Sequence, residues 1–156
     1  MITIKKVLYK HCEDILSEKR KMIQDSMQRI QQSLSQESKS TAGDKHETGR
    51  AMIQLEREKL GNQLKELELQ ERLLAKIPVE EVSAQDFHNQ RIVAGSCVET
   101  DHLNYYLSIS LGEISVSDKV FYTISLQTPI AKLLLGKTKG DTIVFNGMES
   151  KILKIH

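Results

Sequence analysis

The chain is poor in several features that mark common protein classes. It has no Trp, three Phe and two Cys in 156 residues, and its 22 basic and 21 acidic residues nearly cancel. Balanced charge argues against direct binding of free DNA or RNA, which basic surfaces favour. No apolar run approaches the ~20 residues of a membrane-spanning helix. The start Met1-Ile2-Thr3 leads into charged residues, unlike a signal peptide. We therefore expect a cytoplasmic protein without a membrane partner.

The cysteines and histidines do not have the spacing of a metal site. Cys12 falls on an apolar seam position of a helical segment and Cys97 lies far from it in sequence, so we expect buried free thiols. Free thiols suit a reducing cytoplasm. The five histidines include no pair at i, i+4. We expect no cofactor of the protein's own.

The first half of the sequence has the apolar periodicity of two long helices. The first is predicted from Ile4 to Glu37, with a coiled-coil seam at Ile23, Met27, Ile30 and Leu34. The second is predicted from His46 to Ile77, with apolar residues every seven positions at Ile53, Leu60, Leu67 and Leu74. Pro78 then ends it. The link 38–43 is short and has no apolar period, so the helices should form an antiparallel hairpin, roughly 45 Å long at ~1.5 Å per residue.

The link leads into Asp44-Lys45-His46-Glu47, which we call the tip segment. Two carboxylates three residues apart at the end of a helical hairpin are placed to hold a cation or to do chemistry inside a partner's cavity. Helix capping is an alternative interpretation, with Asp44 as N-cap and Glu47 as the acid of a capping box. The two roles are compatible, because a capped tip holds its carboxylates more firmly.

The second half changes to short apolar runs, which predict a small, mostly antiparallel sheet. A short helix is predicted from Pro129 to Leu135, with Thr128 as N-cap and Gly136 at its end. Asn146-Gly147 predicts a tight hairpin turn. Strands are predicted at 91–98, 103–111, 120–124, 142–145 and 151–155. We expect an α+β protein with a helical hairpin over 1–78 and a sheet domain over 79–156. The sheet domain has no catalytic motif, which favours a docking role.

Four segments match the motifs of one bacterial family, in the family's order. Residues 128–141, TPIAKLLLGKTKGD, are similar to the signature S-P-[IL]-[AG]-[KR]-x-L-[IL]-G-K-x-x-G-D. Residues 90–98, QRIVAGSCV, resemble G-[RK]-V-x-[FL]-G-[AS]-x-V, and residues 43–47, GDKHE, resemble G-D-[LI]-x-E. Residues 149–155 resemble the family's closing strand. Over most of its length the chain thus resembles the GreA/GreB transcript-cleavage factors.

The resemblance implies a definite function. In that family the hairpin enters the secondary channel of bacterial RNA polymerase, and an FKBP-like domain docks at the channel rim. Asp44 and Glu47 match the two acids that help the polymerase hold a catalytic Mg²⁺ and position water, so that the polymerase cleaves backtracked RNA. The protein would be an accessory factor rather than an enzyme, and it would meet the RNA 3′ end only indirectly. The residues expected to face the polymerase are Pro129, Ile130, Lys132 and Lys137.

Three alternatives stand beside cleavage stimulation. The family follows its second acid with N-A-E-Y, whereas this chain has Thr48-Gly49-Arg50-Ala51. Arg50 adds a positive charge near the acids and Gly49 weakens the helix, which favours a channel-binding regulator without cleavage activity, as in DksA-like proteins. A prolyl isomerase or chaperone needs an aromatic-lined apolar pocket, and a chain with no Trp and three Phe is poorly equipped for one. A plain coiled-coil adaptor leaves residues 128–141 unexplained.

Overall fold

The molecule is a pair of long helices followed by a six-stranded sheet and one short helix, which confirms the expected α+β class. The computed structural model describes residues 2–37, 43–81 and 89–156. Its elements are α1 (Ile4–Glu37), α2 (Gly43–Ala75), β1 (Cys97–Thr100), β2 (Asn104–Ser108), β3 (Gly112–Val116), β4 (Lys119–Ser125), α3 (Pro129–Leu134), β5 (Thr142–Phe145) and β6 (Met148–Ile155). They divide into two compact units, Ile15–Glu71 and Met1–Asp14 with Arg72–His156. The division therefore does not coincide with the boundary expected at residue 78.

In the unit Ile15–Glu71 the two helices run antiparallel. Near one end Arg20 of α1 donates two hydrogen bonds to the Glu71 carboxylate of α2, at 2.6 and 3.4 Å. Farther along α1, Met27 lies beside Gly61, ten residues earlier than Glu71 on α2. The predicted seam is confirmed by burial at Ile23, Leu60 and Leu67, and Leu16 is buried beside them. The other predicted seam residues of this unit are only half-buried, namely Met27, Ile30, Leu34 and Ile53.

The other unit is built on the sheet, with strand order β3-β4-β2-β1-β6-β5. Neighbouring strands are antiparallel except β2 and β4, which are parallel. A core forms with α3 on the Val98 side of the sheet, and its buried members include Val98, Leu107, Ile130, Leu134, Ile143 and Ile152. The helix ends belong to this unit because their apolar residues are buried in it, namely Leu8, Cys12, Leu74 and Ile77.

The two cysteines are free and buried, as expected. The Cys12 thiol lies near the Ser108 hydroxyl of β2, which places the start of α1 against the sheet. Burial raises the pKa of Cys12 to about 11 and that of Cys97 to about 12. Both thiols are therefore protonated at neutral pH and unreactive, because the thiolate is the nucleophile.

Several strand boundaries differ from those predicted. The strand expected over 91–98 is regular only at its end. Arg91 forms an isolated bridge with Thr138, residues 94–95 make a turn in which Gly95 has a φ of +87°, and regular pairing begins at Cys97. The strand expected over 103–111 is restricted to β2, where consecutive residues are buried on both faces. No strand was predicted at β3, which lies at the edge of the sheet and has little apolar character. The hairpin at Asn146-Gly147 is confirmed, with positive φ at both residues.

Gly95 is expected to be intolerant of any side chain. A Cβ there would lie 2.5 Å from the carbonyl oxygen of Pro78, and its φ is already in the left-handed region. Gly95→Ala should lower the free energy of unfolding by about 2 kcal/mol or more. Gly61→Ala, in α2 with nothing within 4 Å of its Cβ, should raise it by about 0.5–1 kcal/mol. Urea denaturation of both variants measures these free energies of unfolding. If the two substitutions changed stability equally, the close approach of Gly95 to Pro78 would be contradicted.

Glu99 is a buried carboxylate held between Lys119 and His156. Its side chain forms an ion pair with Lys119 and lies 2.7 Å from Nε2 of His156. Burial, the largest influence, raises the pKa of Glu99, but the hydrogen bonds and charges of Lys119 and His156 outweigh it and lower that pKa. The carboxylate therefore stabilises the fold in its ionised form.

The sign of this contribution sets its pH dependence. Because the folded pKa of Glu99 lies below its unfolded value of about 4.3, the stabilisation is present above that pH and is lost as the pH falls through the folded pKa. At pH 7, Glu99→Gln should lower the free energy of unfolding by about 1–3 kcal/mol, and the gap should close as the solution is acidified below pH ~4. Denaturation across pH 3–7 tests this, with exposed Glu149→Gln as control. A difference in the free energy of unfolding between wild type and Glu99→Gln that does not change with pH would contradict this expectation.

Candidate functional site

The tip segment begins helix α2. Helix α1 ends at Glu37 and α2 begins at Gly43, so Asp44 is the second helical residue. The expectation that Asp44 is the N-cap is therefore wrong; the residue before the helix lies outside the described residues. The capping-box interpretation fails with it, because Glu47 is the fifth helical residue rather than the third. An acid in the first helical turn is still favoured by the helix dipole.

The described side chains around Glu47 are accessible. Glu47 and Arg50 are both exposed, and they are three residues apart on the same helix, within reach of each other. Among the described residues no group of three or more His, Cys, Asp or Glu side chains is arranged to hold a metal ion. Mg²⁺ takes six oxygen ligands and keeps several waters. Two tip carboxylates would therefore supply a minority of its ligands, with the rest coming from water or a partner.

The start of the 128–141 segment is built as the sequence predicted. The Thr128 hydroxyl accepts a hydrogen bond from the Ala131 N–H at 3.3 Å and donates to the Ser125 carbonyl at 2.7 Å. Pro129 occupies the first turn, where its missing N–H costs nothing. Gly136 follows the helix with a φ of +81°, the left-handed conformation that ends helices. These residues of the segment are thus explained by local structure.

The segment is joined by backbone hydrogen bonds to the other matched motif, residues 90–98. The Gly136 N–H donates to the Ile92 carbonyl, and the Ile92 N–H donates to the Lys137 carbonyl, both at 2.8 Å. The Arg91 guanidinium donates to the Gly136 carbonyl at 3.0 Å. Two stretches about 45 residues apart in sequence therefore form one substructure.

The end of the segment is a turn held by Asp141. The Thr138 N–H and hydroxyl both donate to Oδ2 of Asp141, at 2.8 and 3.2 Å. The backbone hydrogen bond from Thr138 is the main reason that the pKa of Asp141 is lowered. Backbone bonds from Gly140 to Ile152 and from Ile152 to Asp141 attach this turn to β6. The Gly-Asp pair of the motif thus has an architectural explanation.

The four residues predicted to face a partner do not share one environment. Pro129, Lys132 and Lys137 are exposed, whereas Ile130 is 8% exposed and packs in the core beneath α3. As a surface contact Ile130 was predicted wrongly, because it lies on the inner side of the short helix. Two residues were missed: Leu133 and Leu135 are partly exposed apolar side chains of the same segment. Leu133 and Leu135 flank the buried Leu134 in sequence, so helical geometry turns them away from the core, and this spacing could have identified them.

The sheet unit also contains an apolar cavity of about 360 Å³ that the sequence did not predict. Its wall includes three aromatic rings, from Tyr105, Tyr122 and Phe145. The count of Trp and Phe underestimated the aromatic lining because two of the rings are tyrosines. Strand register brings them together, with Tyr105 paired to Tyr122 across β2 and β4. The cavity lies within the size range of ligand pockets.

Comparison with known proteins adds a similarity of structure. No family model matches the sequence, and no curated protein matches it. Among solved structures, the crystal structure of GreA factor homolog 1 (Gfh1) of Thermus thermophilus is similar, with 20% sequence identity over 95% of this chain and 94% of that chain and a TM-score of 0.35. No helix within the described residues is both long and apolar enough to cross a membrane.

Proposed function

We propose that this protein binds in the secondary channel of bacterial RNA polymerase and stimulates the polymerase's own cleavage of backtracked RNA. The observation that carries the proposal is the position of Asp44 and Glu47. Both lie in the opening turns of α2, where the antiparallel helices of the unit Ile15–Glu71 are joined by the link 38–42. The motif resemblance at residues 43–47 and 128–141 supports the same function.

The proposed chemistry is shared with the polymerase. Positions 44 and 47 are on the same side of a helix, and two carboxylates there add oxygen ligands to a Mg²⁺ already held by the polymerase. A second metal in such a site stabilises the attacking and leaving oxygens of a phosphate together. The protein then needs no metal or cofactor of its own. On this proposal it is an accessory factor of a cytoplasmic, bacterial enzyme, and its sheet domain remains predicted to be FKBP-like.

The proposed docking surface is the exposed side of residues 129–137. Pro129, Lys132 and Lys137 are accessible there, and the partly exposed Leu133 and Leu135 add apolar area. Cations beside apolar side chains suit a partner surface with complementary carboxylates. The buried part of the segment holds the sheet together, so its exposed residues are the ones to test.

A regulator that binds the channel without stimulating cleavage is the second candidate function. The observation that favours it is Arg50, exposed and one helical turn from Glu47. A guanidinium at that distance competes with a metal ion for the carboxylate. The glycine at position 49 also weakens the helix that orients the acids. Stimulated cleavage in a stalled polymerase complex distinguishes the two candidates.

Charge reversal tests the docking surface. Lys132→Glu and Lys137→Glu should each weaken polymerase binding several-fold, with a larger effect at low salt, because rim charges act mainly through electrostatic attraction. Both side chains are exposed, so thermal stability should change little. Lys154→Glu, exposed on β6, makes the same charge change outside the segment and is the control. Unchanged affinity in both test variants would assign the segment a purely architectural role.

Isosteric substitution tests the tip. Asp44→Asn and Glu47→Gln should each abolish stimulated cleavage and leave polymerase affinity almost unchanged, because they remove an anionic ligand and keep the shape. If the acids serve only the helix dipole, the same variants should cost at most about 1 kcal/mol of stability and leave cleavage intact. Glu56→Gln, exposed farther along α2, is the control.

The wild-type protein decides between the two candidates before any variant is made. Binding without stimulated cleavage would support the regulator. In that case Arg50→Gln is the informative variant, because it removes the competing cation, and the tip acids should then be assayed for their effect on promoter-complex lifetime. Absence of polymerase binding would contradict both candidates.

A further inference from the structure

Helix α2 carries a second row of coiled-coil positions on the side that faces away from α1. The row alternates steps of three and four residues, the spacing by which one helix packs along another. At about 100° per residue, Asn62 of this row lies about 200° round the helix axis from the buried Leu60. All members of the row are exposed. We call it the outer seam, and it consists of Met52, Leu55, Lys59, Asn62, Glu66 and Leu69.

The two ends of the outer seam are apolar. Met52 is 67% and Leu55 is 66% exposed at one end, and Leu69 is 42% exposed at the other. Isolated apolar side chains are common on protein surfaces, but these three share a single row with seam spacing. Their removal from water would contribute about 25 cal/mol per Å² of apolar area. The outer seam is therefore a helix face suited to contact with another helix.

The polar centre of the outer seam decides the direction in which an identical helix can pack on it. Lys59 and Glu66 are seven residues apart, and Asn62 lies between them. In a parallel pair of identical helices equivalent positions meet, so each of these two charged residues would face a like charge, which is destabilising. In an antiparallel pair Lys59 instead meets Asn62 of the second copy. Lys19 of α1 lines a groove beside Glu66 and favours that carboxylate in either orientation.

The same antiparallel register matches the rest of the outer seam. Met52 meets Leu69 of the second copy, and by symmetry this apolar pair occurs at both ends of the contact. Leu55 meets Glu66 of the second copy and packs on its methylene groups. The carboxylate of that Glu66 then lies one helical turn from Lys59, within reach of its long side chain. Reversal of the row thus gives its own complement.

The residues that flank the outer seam are complementary in this register as well. In an antiparallel pair, flanking positions of the same type face each other across the contact. Glu58 therefore meets Lys65 of the second copy, and the pair occurs twice by symmetry. On the other flank Glu56 meets the uncharged Gln63 of the second copy. All four side chains are exposed and available for these contacts.

We propose that the outer seam binds the outer seam of a second copy of this chain, so that two α2 helices pack antiparallel about a two-fold axis. The occupant is a second copy because the row is self-complementary in apolar ends, in Lys59 with Asn62, and in Glu58 with Lys65. The contact is short and has few apolar pairs. We therefore expect a reversible dimer with a dissociation constant of roughly 10–100 µM. The dimer does not depend on the proposed polymerase function.

Sedimentation equilibrium of the full-length protein over roughly 5–500 µM tests for the dimer, because this range brackets the expected dissociation constant. Leu55→Glu places a carboxylate opposite Glu66 of the second copy and should weaken dimerisation at least about tenfold. Leu153→Glu, on β6 and 46% exposed, makes the same substitution away from the outer seam and should leave dimerisation unchanged. A monomer at every concentration, or equal effects of the two substitutions, would overturn the proposal.

Charge exchange tests the antiparallel register. Glu58→Lys and Lys65→Glu should each weaken dimerisation about tenfold at low salt, because each puts like charges together twice. An equimolar mixture of the two variants should dimerise about as tightly as wild type, because both pairs between unlike chains are again attractive. Asp25→Lys, an exposed charge reversal on α1, is the control and should have no effect. Undiminished dimerisation of both test variants, or a mixture no tighter than its components, would overturn the register.

Discussion

The close approach of Gly95 to the chain that leaves α2 is the constraint on which the sheet unit depends. The Pro78 carbonyl occupies the space that a side chain at position 95 would need. The Gly95 N–H donates to the Leu107 carbonyl at 2.7 Å, so the same residue also starts the β1–β2 pairing. A single left-handed residue thus connects the exit of α2 with the centre of the sheet. A glycine at this point is required by space and conformation together.

Segments 90–98 and 128–141 contain residues with two separable physical roles. Backbone bonds from Ile92 to Gly136 and Lys137, and from Ile152 to Asp141, join three distant stretches into one substructure. Those bonds account for the glycines and the aspartate of residues 128–141 without any partner. They do not account for the exposed Lys132. A resemblance in sequence therefore mixes residues that build the domain with residues available for binding, and burial is what separates them.

The sequence predicted features that arise from neighbours along the chain and missed those that arise from pairing across it. The seam leucines at positions 60 and 67 were found because helical periodicity is local. The Thr128 cap was found because its partner, Ala131, is three residues away. The cavity was missed because Tyr105 and Tyr122 meet through the register of parallel strands, which no local pattern encodes. The prediction that Asp44 caps α2 was wrong because the helix begins one residue earlier, at Gly43.

The tip segment shows what its own carboxylates can and cannot do without a partner. Two carboxylates near a helix start are too few ligands for Mg²⁺, which prefers six oxygens, so any metal chemistry at Asp44 and Glu47 must be completed by another molecule. This requirement explains why a long helix pair would carry the acids at the end where α1 and α2 are joined. On the proposed function the charge of Arg50 becomes decisive, because the polymerase's metal and this guanidinium would compete for the same carboxylate oxygens. The proposed function and its alternative differ by the outcome of that competition.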